Sequence, residues 1–187
     1  MLRKWLALCF FMIGSCAANA QVEQARIGGL PSTNVGISFS SFNPDFTLKR
    51  LYGFGAYANV MPLHYGGVDL GLEGELKLLS INQVVQVHER TLSLGVIGQL
   101  RNNYYGFKPY GKFMYGLGNF YYPNLPAWAN YRTDSFGIFV LGGGVDHQLH
   151  GRFSIRGDYE YQRWTHFRGG KTLNPNGFTV GVSYKLF

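Results

Sequence analysis

Gly177-Phe178-Thr179-Val180-Gly181-Val182-Ser183-Tyr184-Lys185-Leu186-Phe187 closes the chain, and its strict alternation decides how the rest is read. Phe178, Val180, Val182, Tyr184 and Leu186 fall on one face of a strand, while Gly177, Thr179, Gly181, Ser183 and Lys185 fall on the other. A strand apolar on one side and small or polar on the other suits lipid outside and a polar lumen inside. The same period of two recurs upstream.

Eight such segments can be read, each near the 9 to 11 residues, roughly, that a tilted membrane strand needs. In the first, NVGISFSSF, Val35, Ile37 and Phe39 share a face; in the second, Phe54, Ala56, Ala58 and Val60 stand against Gly53, Gly55, Tyr57 and Asn59. The third is the clearest, with Val68, Leu70, Leu72, Leu76 and Leu78 on one side and Asp69, Glu73, Glu75 and Lys77 on the other. The fourth turns Leu92, Leu94, Val96 and Leu100 outward, and the fifth turns Phe113, Tyr115 and Leu117 outward with Lys112 inward. In the sixth, a continuous apolar run hides the period around Phe139 and leaves its faces open. The seventh puts Phe153, Ile155, Tyr159 and Tyr161 out and Ser154, Arg156, Asp158, Glu160 and Gln162 in. Connections after odd segments are the longer set on the whole, as in small bacterial barrels with long external loops and short periplasmic turns. An even count returns both termini to the periplasmic side.

Export is written at the start of the chain. Arg3 and Lys4 precede the apolar run Trp5 to Ile13, and Ala18-Asn19-Ala20 supplies a cleavage site, the three regions of a secretory signal. The chain then divides into a signal over 1–20, a short periplasmic segment over 21–32 and a barrel over 33–187. Lipidation at Cys16, which follows Ile13-Gly14-Ser15, stands as the alternative to cleavage after Ala20. Both cysteines, Cys9 and Cys16, lie within the signal, so disulfides and thiolate metal sites are excluded from the mature protein.

The formal net charge is +7, and loss of Arg3 and Lys4 leaves +5. Export argues against nucleic acid as the partner of this basic chain and favours anionic outer-membrane lipid and lipopolysaccharide as its neighbours. Aromatic residues make up 17% and charged residues only 14%, against about 25% charged in ordinary soluble domains. Sparse charge and 26 glycines suit a barrel with aromatic girdles, with a soluble β-sandwich as the competitor. The glycine recurrences at 116–118 and 142–144 open no helix and form no nucleotide-binding fingerprint.

The strand count, the seventh-segment block RGDYEYQRW (156–164) and the closing GFTVGVSYKLF together resemble the outer-membrane β-barrel domain family, and within it the eight-stranded outer membrane protein A-like barrels. The resemblance covers essentially residues 30–187. It implies an all-β, closed, antiparallel, up-and-down barrel in the outer membrane of a Gram-negative cell, used for envelope stability, adhesion or narrow conductance rather than enzymology, and without a cofactor. It also implies that the barrel-assembly machinery reads the chain-end aromatic Phe187, with Tyr184 nearby but one residue out of phase.

The candidate chemistry lies in the lumen set Glu73, Glu75, Lys112, Arg156, Asp158 and Glu160. The third and seventh of eight strands lie across the barrel from one another, and such an interior is just wide enough for side chains to meet. Carboxylates buried there need cations, so Arg156 and Lys112 are the natural compensators. Two readings stay open, a static polar plug and a salt-bridge gate that loss of Arg156 would open. The carboxylate pairs Glu73 with Glu75 and Asp158 with Glu160 are read as lumen lining, not as an acid and base. His166 invites comparison with lipid A deacylases, in which a serine follows the histidine by two residues; Arg168 stands there instead, and the nucleophile is missing. His64, His88, His147 and His150 have no metal-ligand spacing. The expectation is therefore a non-enzymatic scaffold whose long loops around Trp128 and Lys171 meet an unidentified extracellular ligand; a narrow porin-like channel and a lipid A-modifying enzyme are the alternatives.

Overall fold

A computed structural model describes residues 31–45, 49–81, 86–101, 105–123, 133–167 and 171–186. Cleavage after Ala20, Cys16, most of the 21–32 segment, Trp128, Arg168, Phe187 and the side chain of His166 lie outside the described residues.

Among the described residues nine strands follow one another: β1 (Ser32–Asn43), β2 (Leu51–Tyr65), β3 (Val68–Ile81), β4 (Val87–Leu100), β5 (Phe107–Tyr121), β6 (Thr133–His150), β7 (Phe153–Phe167), β8 (Lys171–Leu173) and β9 (Asn176–Lys185). All pairings are antiparallel. The order β6-β5-β4-β3-β2-β1-β9-β7 closes when β7 pairs back with β6, so eight strands form an unbroken wall. Closure leaves no edge in the wall, which is what a sheet surrounded by hydrocarbon requires. The short β8 hangs on the far end of β7 through Trp164 and Leu173.

Burial follows the period of two read from the sequence. Ile37 and Phe54, at 71% and 72% exposure, stand on an outer belt with Leu72, Leu94, Leu117 and Val180, while Ser38, Asn59, Glu73, Lys112 and Thr179 are buried inside. An outer surface that is almost wholly apolar is stable only against lipid. Faces in β6 are now assigned: Phe139 and Leu141 point out, and Phe136, Ile138 and Val140 point in.

Seven of the eight wall strands are longer than the sequence segments. β2 runs on through Pro62-Leu63-His64-Tyr65, so the turn after it is only Gly66-Gly67, with φ of +57° and +85°. Those angles match a two-residue hairpin whose central residues are both left-handed, a geometry that glycine adopts without strain. β4 likewise begins at Val87 rather than Arg90. In β2 the register shifts between Val60 and Leu63, which breaks the period of two, and in β4 the added outward residue, His88, is polar; in both the hydrogen-bonded ladder simply continues beyond the belt. Ser32 and Lys185 lie at the same end as the turn at Gly66-Gly67 and the turn at Gly151-Arg152. That end is called the short-turn end below, and the opposite one the long-loop end.

Candidate functional site

The lumen is built from every second residue of the wall, and it divides into two layers. From the short-turn end towards the long-loop end, the inward residues of β3 run Glu73, Glu75, Lys77, Leu79, Ile81, and those of β7 run Arg156, Asp158, Glu160, Gln162, Trp164. Both strands pass from charge to apolar bulk in the same direction.

The charged layer brings together all six residues singled out from the sequence. Lys112 Nζ is its hub, 2.6 Å from Glu160 Oε1, 3.2 Å from Glu75 Oε2 and 3.4 Å from both Glu73 Oε1 and Asp158 Oδ2. Arg156 Nη1 donates to Glu73 Oε2 at 2.6 Å, and its Nε and Nη2 donate to Asp146 Oδ1 and Oδ2 at 3.0 and 3.2 Å. Its guanidinium lies between the rings of Tyr57 and Tyr110, 4.4 Å from each centroid. The Tyr110 hydroxyl donates to Asp158 Oδ2 at 2.5 Å, and Asn59 Nδ2 donates to Glu73 Oε2 at 3.1 Å. Room for the hub comes from Gly142, where a Cβ would lie 3.0 Å from Lys112 Cε and 3.1 Å from Glu160 Cγ.

Two members of this network were absent from the sequence-derived set. Lys77 bonds Glu160 and lies 3.0 Å from Glu75, and Asp146 holds two nitrogens of Arg156. Lys77 was legible, since it continues the period of Glu73 and Glu75; Asp146 was not, since it belongs to the strand whose faces the apolar run concealed. Asp69, read on the same face, stays at the short-turn rim, 2.6 Å from His64 Nδ1 and 2.9 Å from Arg101 Nε.

Beyond the charges lies a second closure that the sequence did not reveal. Met114, Phe120, Phe136, Ile138, Val140, Trp164 and Leu173 form one buried cluster, and Phe42, Leu51, Leu79 and Ile81 form another. Phe120 and Trp164 have ring centroids 4.6 Å apart, and Trp164 Nε1 donates to Gln162 Oε1 at 3.0 Å. The indole fills space that Gly118 vacates: a Cβ there would lie 2.1 Å from Trp164 Cη2. Loss of Arg156 alone would therefore leave the long-loop half of the lumen filled. Glu89 is fully buried on the same side, and neither of its carboxylate oxygens has a hydrogen-bond partner.

At the long-loop end Lys171 is exposed on β8. At the other end Tyr184 faces the ring of Phe153, with centroids 5.1 Å apart, in the outer aromatic rim.

A closed eight-stranded wall, an apolar outer belt and a lumen packed with side chains define a transmembrane β-barrel. The chain belongs to the outer membrane protein beta-barrel domain family, whose model matches residues 6–185, and its place is the outer membrane. Among solved structures, Neisserial surface protein A superposes with a TM-score of 0.58 at 11% identity, over 83% of this chain and 97% of that one. Ail, the attachment invasion locus protein of Yersinia pestis, in complex with the heparin analogue sucrose octasulfate, gives a TM-score of 0.55 at 18% identity, over 83% of this chain and 97% of that chain. At these identities the likeness is one of fold. No curated protein matches the sequence.

Proposed function

We propose that the protein is a non-enzymatic outer-membrane scaffold, a closed barrel that holds its long loops at the cell surface for interaction and carries no current. The observation that supports this best is the doubly filled lumen, with an ion-paired layer around Lys112 and an aromatic layer around Trp164. The barrel stands with both termini and the short turns in the periplasm, which leaves the surface around Trp128 and Lys171 outside. In sequence those two loops mix aromatic with basic residues, a combination suited to an anionic or glycan-bearing partner.

Lipopolysaccharide is the natural lipid neighbour in this orientation. Arg90 and Arg163 point outward from β4 and β7 near the long-loop margin of the belt, and no carboxylate among the described residues pairs with either. A cation so placed is costly unless it meets an anionic headgroup. Insertion by the barrel-assembly machinery belongs to the same reading.

Planar-bilayer recording on the wild-type barrel tests it. Near silence is expected, while a large steady current would make the protein a pore and put the channel first. The enzymatic rival is tested by incubation with labelled lipid A; acyl release that disappears in His166→Ala would replace the scaffold reading.

A further inference from the structure

The short-turn mouth of the lumen is not filled. A polar cavity of about 50 Å³ lies over Arg156, lined among others by Asn34, Lys108, Arg152, Ser183 and Lys185. A wider recess of about 300 Å³ continues past Arg101, Lys108 and Lys185. The inner volume exceeds the roughly 10–15 Å³ that one water needs several-fold, which is the scale of a tetrahedral oxyanion.

The charges around this mouth do not cancel. Asp146 is taken on both oxygens by Arg156, and Asp69 is held by His64 and Arg101. Lys108, Arg152 and Lys185 remain, and no carboxylate among the described residues pairs with any of them. They come from β5, the β6–β7 turn and the end of β9, tied together where Lys185 N–H donates to Arg152 O at 2.8 Å. Three cations facing one concave polar space repel one another, and the walls concentrate their field on whatever enters. Amides and hydroxyls from Asn34, Ser154 and Ser183 supply further donors at the same place.

We propose that this vestibule is a binding site for a phosphate-type oxyanion, delivered from the short-turn side either as a free solute or on a lipid headgroup. Lys108 and Arg152 are its principal ligands, with Lys185 closing the third side. Charge-assisted bonds from a guanidinium and ammonium groups to a tetrahedral anion are the strong kind. The site goes beyond the scaffold reading and does not depend on a silent lumen.

Isothermal titration of inorganic phosphate into the refolded barrel in an uncharged detergent at low salt tests it. Saturable binding at one site is expected, at least ten-fold weaker in Lys108→Gln/Arg152→Gln and unchanged in Arg50→Gln, an exposed cation at the opposite end. Heat-modifiable gel mobility of each variant shows that it has folded, and Lys185→Gln serves as a second variant. Absence of saturable binding to folded wild type, or equal binding in the folded double variant, overturns the proposal. Repeating the titration in phosphatidylglycerol nanodiscs identifies the source. If the lipid competes with phosphate in wild type the ligand is a headgroup, and if it does not the ligand is a free oxyanion.

Discussion

The two halves of the lumen close the same barrel by opposite means. In the charged half, five acids (Glu73, Glu75, Asp146, Asp158 and Glu160) stand against three cations, Lys77, Lys112 and Arg156. Each cation is shared, and tyrosine and asparagine donors take up further carboxylate oxygens. In the aromatic half, Trp164, Phe120 and Phe136 fill volume and ask nothing of their partners but shape. A charge network fails when one member is lost, because the survivors stay buried and uncompensated. An apolar layer fails in proportion to the hole left behind.

That difference orders the expected effects. Lys112→Ala should be the most damaging change, near the upper end of about 3–5 kcal/mol, because four carboxylates lose their common partner. Urea unfolding in detergent measures it. Repeating the measurement near pH 3, where carboxylates of ordinary affinity begin to take up protons, should narrow the gap between variant and wild type. Trp164→Ala should cost about 3–5 kcal/mol, with no such narrowing at acid pH. If its loss proves as pH-dependent as that of Lys112→Ala, the division into two layers is wrong.

Gly118→Ala drives a methyl group into the Trp164 indole and should cost about 1–3 kcal/mol, with a shift in Trp164 fluorescence. Coupling in a double-mutant cycle with Trp164→Ala would sharpen the assignment. Glu89→Gln should change stability by less than about 1 kcal/mol, since no ion pair or hydrogen bond is lost. A large destabilisation there would mean that the carboxylate belongs to the charged layer after all.

The same contrast explains what could be read before the fold was known. Charges two residues apart on β3 and β7 announce an inward face because ionised groups have no place in lipid, so Glu73, Glu75, Asp158 and Glu160 were visible at once. The aromatic layer was hidden because its residues are apolar and so are their outward neighbours. Phe136-Gly137-Ile138-Phe139-Val140-Leu141 shows no alternation, although Ile138 is buried and Leu141 is exposed. Asp146 was lost with the same strand. β8 also escaped notice, since three residues are too few to show a period. The vestibule depends on three cations far apart in sequence, at positions 108, 152 and 185, which only closure of the wall brings together.

Planar-bilayer conductance of four proteins, wild type, Arg156→Ala, Trp164→Ala and the double variant, tests the two-layer closure most directly. Wild type and both single variants should be nearly silent, because each single change leaves one layer intact. The double variant should show small openings that prefer cations, since the acids outnumber the cations left in the lumen. A steady wild-type current, or Arg156→Ala alone conducting as well as the double variant, would contradict it.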